Sequence, residues 1–261
     1  METLVLENPE TMTKKIETEN SKLSVIILLT QNSAFVGNNQ PWELKILGKS
    51  MKEWVALACQ GYPVQFIEYD GRSDVMTIAK QHVRSGEYTM VLYSDTPLIR
   101  KKTVEEIFDY CLVKKMSVCK LTRGFVFSNE FLKNADKIYT AEPQYFDEED
   151  FMTVYNLKQL MIIEEVMKNR VLSFHMKNGV RIIDGGSVSI DADVTIRPGT
   201  VIYPNNRIYG KTYIGENVVL YPNNIIENCY IDNSVTVEYS VVKNAELPTG
   251  AKVGPFEKII K

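Results

Sequence analysis

Residues 190–226 read IDADVTIRPGTVIYPNNRIYGKTYIGENVVLYPNNII. Every sixth position is aliphatic: Ile190, Ile196, Ile202, Ile208, Ile214, Leu220 and Ile226. A period of six is neither the 3.6 of a helix nor the two of a simple strand. Turn-formers recur between them in matching phase, as Pro198-Gly199, Pro204-Asn205-Asn206, Gly210, Gly215 and Pro222-Asn223-Asn224. An aliphatic, a short extended run and a turn, repeated, predict a β-helix of hexapeptide repeats. Each repeat forms one flat side of a triangular prism, and roughly eighteen residues close one coil. The branched aliphatics then point inward and stack on their counterparts in neighbouring coils. Proline presets φ and glycine or asparagine tolerates positive φ, which suits them to the corners. An antiparallel sheet with irregular turns is the competing reading, and it gives no reason for a single aliphatic phase. After Ile226 the phase slips, and Ile231, Val235, Val237, Val241 and Val242 suggest less regular coils up to Gly254.

Upstream the pattern changes. Leu23 to Leu29 is a continuous apolar run, the mark of a strand buried on both faces. A polar loop follows, then a helix around Ser50 to Gln60, a strand at Val64 to Tyr69 and a helix at Arg72 to Arg84. Tyr88 to Tyr93 reads as a third strand and Thr103 to Lys114 as a third helix, with Thr103 and Glu106 as a capping box. Strands alternating with helices of this length indicate an α/β domain with a mostly parallel sheet. Ligands of such sheets bind at the C-terminal edge of the strands. Shorter extended runs follow at Ser117 to Leu121, Gly124 to Phe127 and Lys137 to Ala141. The acidic run Asp147-Glu148-Glu149-Asp150 reads as a solvated first turn, and a helix then leads to Lys177. The domain boundaries are a polar, mobile extension (1–22), the α/β domain (23–155), a linker helix (156–178) and the β-helix (179–261).

Net charge is −3 and the pI about 5.6, so no global basic field recruits nucleic acid. No apolar run approaches the length that spans a bilayer, and the N-terminus lacks the apolar core of a signal peptide. Cys59, Cys111, Cys119 and Cys229 have no CxxC spacing and no nearby histidine. Buried reduced thiols in a cytoplasmic protein are the expectation.

Several segments resemble the bacterial bifunctional N-acetylglucosamine-1-phosphate uridyltransferase / glucosamine-1-phosphate acetyltransferase family. They are Met176 to Asp184 (MKNGVRIID), Val201 to Pro204 (VIYP), Gly210-Lys211-Thr212 and Val253 to Phe256 (VGPF). Val154 to Leu160 (VYNLKQL) is similar to the start of that family's linker helix, Ser94 to Ile99 (SDTPLI) to its metal-aspartate loop, and Gly48 to Val55 (GKSMKEWV) to its first helix. The resemblance implies a nucleotidyltransferase-type, Rossmann-like α/β domain followed by a short left-handed β-helix. It implies a sugar nucleotide or nucleoside triphosphate as ligand, Mg²⁺ held by Asp95, and a homotrimer assembled through the coils. The nucleotide-loop position falls on Gln31, Asn32 and Ser33.

The chain departs from this pattern where the chemistry would sit. The family's loop is Gly-rich with a Gly-Thr-Arg element, because backbone N–H groups and fixed cations offset charge on a triphosphate. Here the loop has one glycine, Gly37, and no cation before Lys45. Pro41 is followed by Trp42 and Glu43 where the family has a lysine, and Tyr155 stands where its second metal ligand, an asparagine, is expected. The family's sugar-contacting middle segment is missing between Leu121 and Gly124. Acetyl transfer uses a coil histidine, whereas His82 falls in a helix and His175 in the linker, and the chain stops before the family's acetyltransferase coils. Three readings follow. The favoured one is a shortened, degenerate homologue that binds a sugar nucleotide or a partner with little or no turnover. The others are an active Mg²⁺-dependent uridyltransferase and a structural β-helix oligomerisation module. Tyr203, Tyr209 and Tyr221 are read as one aromatic ladder suited to subunit packing.

Overall fold

The computed structural model describes residues 21–31, 40–138, 141 and 143–261. These form two compact units, one of residues 21–45 and 49–163, the other of residues 46–48 and 164–261.

The first unit is built on a five-stranded sheet. Its strands are β1 (Leu23–Thr30), β2 (Val64–Tyr69), β3 (Tyr88–Tyr93), β4 (Val118–Leu121) and β5 (Gly124–Ser128), in the order β2-β1-β3-β5-β4. β3 is central; β1 pairs in parallel with β2 and β3, while β5 runs antiparallel to both β3 and β4. All eight β1 residues are buried, the polar Ser24 and Thr30 included. The helices are α1 (Met51–Ala58), α2 (Val75–Gln81), α3 (Lys101–Lys114) and α4 (Asn129–Asn134). Leu23, Val25 and Ile27 pack on one face with α1 and α3, and Ile26 and Leu28 pack on the other with α2 and α4. Strand alternation thus divides β1 between two helical layers.

Four sequence expectations change here. The Thr103–Glu106 capping box is absent, because α3 begins at Lys101. Its first turn is held instead by Asp150, which accepts from Arg100 N at 3.2 Å, Arg100 Nε at 2.8 Å and the Thr103 hydroxyl. Asp147, Glu148 and Glu149 are exposed, as a solvated turn requires, but Asp150 is fully buried; one backbone N–H, a cation and a hydroxyl recruit it from fifty positions away. The run Lys137 to Ala141 makes no strand at its described residues. Lys22 was assigned to the N-terminal extension, yet its carbonyl accepts from Glu87 N and Tyr88 N and its ammonium pairs with Glu87 at 2.9 Å. Ser21 Oγ donates to Leu23 O at 2.6 Å, and residues 1–20 of that extension lie outside the described residues.

The second unit is the β-helix. Two- and three-residue strands stack in three parallel sheets. One inward ladder runs Ile190, Ile208, Ile226, Val242, Ile259; the second runs Ile196, Ile214, Ile231, Leu247; the third runs Ile182, Ile202, Leu220, Val237, Val253. These aliphatics form one continuous core. Asn205, Asn217, Asn223, Asn228 and Asn244 take the corners at positive φ. The coils continue past Gly254 through a last strand at Lys258–Ile260. The tyrosine ladder is also reassigned. A step of six residues moves to the next side of the prism, so Tyr209 pairs in register with Glu227. Tyr203 stacks on Tyr221, one full coil away, with ring centroids 5.5 Å apart, and Tyr239 lies against Phe256 at 5.9 Å. The helix α5 (Leu157–Lys177) precedes the coils, and its Val171 and Leu172 join their core.

Candidate functional site

The order β2-β1-β3 makes a topological switch between β1 and β3, since the chain leaves β1 toward β2 and leaves β3 toward β4. Crevices at the C-terminal ends of such strands are where α/β folds take ligands. Thr30 ends β1, and Ser94-Asp95 follow β3 directly. Thr30 N donates to Ser94 Oγ at 3.1 Å, and Ser94 N donates to Leu28 O at 2.9 Å, which fixes the loop after β3 to its neighbour. Thr30 Oγ1 donates to Asp95 Oδ2 at 3.2 Å.

The decisive partner comes from the β4–β5 hairpin. Leu121 and Gly124 are paired, leaving Thr122-Arg123 as a two-residue turn. Arg123 Nη2 lies 2.5 Å from Asp95 Oδ2 and Nε 3.2 Å from Oδ1, a fork on both carboxylate oxygens. Its Cζ sits 4.0 Å from the centroid of the Tyr93 ring, a cation–π contact, and Tyr69 meets Tyr93 edge-on at 5.8 Å. Burial works against the charged guanidinium, but the bond and the charge of Asp95 outweigh it and raise the Arg123 pKa above its ordinary value. Burial, with Tyr69 beside it, pushes the Tyr93 phenol up to about 12.

Gly124 makes this placement feasible. A Cβ there would lie 2.5 Å from Val91 O, and its φ is +140°, so only glycine lets the hairpin close against β3.

The sequence-predicted residues fare unequally. Asp95 stands at the switch point. Tyr155 is brought near it, since Val154 N donates to Asp95 O at 2.8 Å, but its hydroxyl accepts from Gln159 and the side chain is exposed. Gln31 is exposed at the end of β1; Asn32 and Ser33 lie outside the described residues. Pro41-Trp42-Glu43 forms a 3-10 turn in which Trp42 is buried and Glu43 pairs with Lys52. His82 follows α2 with Nδ1 2.9 Å from Ile78 O, and His175 is buried beside Phe174. The four cysteines are buried and free of disulfides. Arg123, Tyr93 and Thr30 escaped sequence reading; the one signal was the short Leu-Thr-Arg-Gly turn between two extended runs.

A Mg²⁺ site needs oxygen donors open to the metal. Both Asp95 oxygens are engaged by Arg123, and no group of three or more His, Cys, Asp or Glu able to hold a metal occurs among the described residues. The residues present do not fit the ion.

No family model matches the chain. Over 130 residues, half of this chain, it is 42% identical to the bifunctional protein GlmU of Clostridium kluyveri, covering 28% of that protein. Over 132 residues it is 38% identical to GlmU of a Geobacillus species, again covering 28% of the relative. Among solved structures it is similar to CMP:2-keto-3-deoxy-manno-octonic acid synthetase complexed with CTP, with TM-score 0.44, 12% identity, 57% of this chain and 100% of that one. Molybdopterin-guanine dinucleotide biosynthesis protein A of Archaeoglobus fulgidus gives TM-score 0.42, 12% identity, 56% of this chain and 99% of that one. At such TM-scores these likenesses bear on neither ligand nor chemistry. The fold is an α/β sheet domain followed by a β-helix of short parallel strands. In sequence, half of the chain is similar to the GlmU proteins, and it spans less than a third of their length.

Proposed function

We propose that this protein binds a sugar nucleotide or nucleoside triphosphate at the C-terminal edge of its α/β sheet and turns it over little or not at all. The observation that carries this reading is the Asp95–Arg123 fork, which closes the carboxylate that a transferase of this kind needs open. The turn at Pro41-Trp42-Glu43 supports it, because a buried indole and a paired carboxylate stand where a lysine would meet the phosphates. Identity to GlmU supports a ligand of the UDP-N-acetylglucosamine type. The thiols, all buried, support a cytoplasmic location, and the stacked aromatics of the coils support a homotrimer.

Pyrophosphate release from UTP and N-acetylglucosamine-1-phosphate with Mg²⁺ tests turnover, and thermal shift with UTP or UDP-N-acetylglucosamine tests binding. Loss of one charge-stabilising donor commonly lowers rate by ~10²–10³, and several are missing here. Turnover is expected at least that far below a competent GlmU, together with a ligand-dependent rise in Tm. Robust Mg²⁺-dependent turnover that vanishes in Asp95→Ala would overturn the reading.

A further inference from the structure

We propose that Arg123 is a resident cation in the place a divalent metal would take at Asp95, closing that carboxylate to metal and making ligand binding at this edge independent of it. This deepens the reading above by naming how the site handles charge. Three observations converge on it. The guanidinium meets both carboxylate oxygens, at 2.5 and 3.2 Å. It is held from a second direction by the Tyr93 ring, 4.0 Å from Cζ. It rides on a two-residue hairpin that Gly124 alone permits to close, so its position is set by the sheet and not by a long loop.

A metal entering at Asp95 would have to displace this guanidinium and leave it beside a dication on the Tyr93 face. Like-charge repulsion and the loss of a charge-assisted fork both oppose that exchange. The pair also differs from a metal site in net charge. A carboxylate with Mg²⁺ carries a net positive charge, whereas a carboxylate with arginine is neutral. Arginine still offers directed donors: Nη1 makes no hydrogen bond among the described residues, and the side chain is 36% exposed. A phosphate oxygen arriving at this edge therefore meets N–H groups in fixed geometry, the arrangement that suits a diphosphate better than a metal-chelated triphosphate.

The full chain is titrated with Mn²⁺ and followed by electron paramagnetic resonance, as wild type, Asp95→Asn, Arg123→Ala, Arg123→Gln and Arg123→Ala/Asp95→Asn. Wild type should bind no Mn²⁺ through Asp95, Arg123→Ala should gain a site, and the double variant should lose it. Arg123→Gln, which keeps a polar stem in the hairpin, should gain the site as well and covers the case in which the alanine variant does not fold. UDP is then titrated into wild type in EDTA and in Mg²⁺. Equal affinity in both, lowered about tenfold by Arg123→Ala, is the expected result. A wild-type Mn²⁺ site that Asp95→Asn abolishes, no gain in either Arg123 variant, or UDP binding that requires Mg²⁺ would each overturn the inference. Failure of UDP to bind under both conditions, with the Mn²⁺ results as expected, would overturn the proposed ligand and leave Arg123 as the resident cation.

Discussion

His175 shows how a single residue carries information that its neighbours in sequence conceal. It lies near the end of a helix whose exposed face is charged, yet it is buried, and neither ring nitrogen has a hydrogen-bond partner among the described residues. Burial pushes its pKa down to about 4, so the ring is neutral in the folded protein at pH 7. In the unfolded chain it titrates near 6.5. As pH falls below 6.5 the unfolded chain takes up a proton that the folded one refuses, and stability declines until about pH 4. The full effect is on the order of 3 kcal/mol. Chemical denaturation of wild type and His175→Leu between pH 7 and pH 4.5 measures it. The wild-type stability should fall more steeply, by about 2 kcal/mol over that interval. Identical slopes would show that the imidazole is hydrated or paired in solution.

At the scale of the element, the coils solve two problems at each corner. The chain must turn sharply, and the turning backbone must still satisfy its polar groups. Asparagines at positive φ manage the first. Buried asparagines manage the second: Asn224 Nδ2 donates to Asn206 Oδ1 at 3.0 Å, Tyr221 O at 2.6 Å and Val237 O at 3.1 Å, and its Oδ1 accepts from Ser240 N at 2.9 Å. One side chain thereby links three successive coils. Asn224→Ala should cost about 2–4 kcal/mol, since several buried groups lose partners at once, while exposed Glu246→Ala should stay within about 0.5 kcal/mol. Urea midpoints compare them, and similar small losses would mean that water replaces the amide. The phase slip after Ile226 has the same local origin. Ile225 pairs with Val241 and Tyr230 with Glu246, coils of sixteen residues where Val201 and Val219 are eighteen apart. The five-residue steps Ile226 to Ile231, Val237 to Val242 and Val242 to Leu247 fall at the corners Asn228, Tyr239 and Asn244, and the inward aliphatics stay in register.

For the whole molecule, the proposed homotrimer rests on a surface that the corrected stacking defines. Tyr203, Tyr221, Tyr239 and Phe256 recur once per coil, and Tyr221 and Tyr239 remain substantially exposed. Closed cyclic symmetry satisfies a heterologous contact between identical prisms, and tyrosine suits a contact that is part apolar and part wet. Light scattering at micromolar concentration should give three times the 29.8 kDa chain mass, and Tyr221→Ser with Tyr239→Ser should shift the assembly toward monomer. A monodisperse wild-type monomer would remove the trimer. A trimer unchanged by the double substitution would move its interface to another side of the prism.

The sequence by itself determined the β-helix, its inward residues and the parallel core of the α/β sheet. Both rest on local pattern: a six-residue step in Ile190 to Ile226 and the apolar run Val25 to Leu29 in β1 report burial through short-range geometry. Tertiary structure alone decided which residues face each other. Arg123 reaches Asp95 only because β5 lies beside β3, an adjacency set by strand order and invisible to spacing along the chain. Asp150 replaces a cap that local sequence assigned to Thr103, and Tyr203 finds Tyr221 because one coil, and not one repeat, brings a side chain back to the same side. Periodicity tells a residue how deep it lies; contact order across the fold tells it what charge or ring it will meet there.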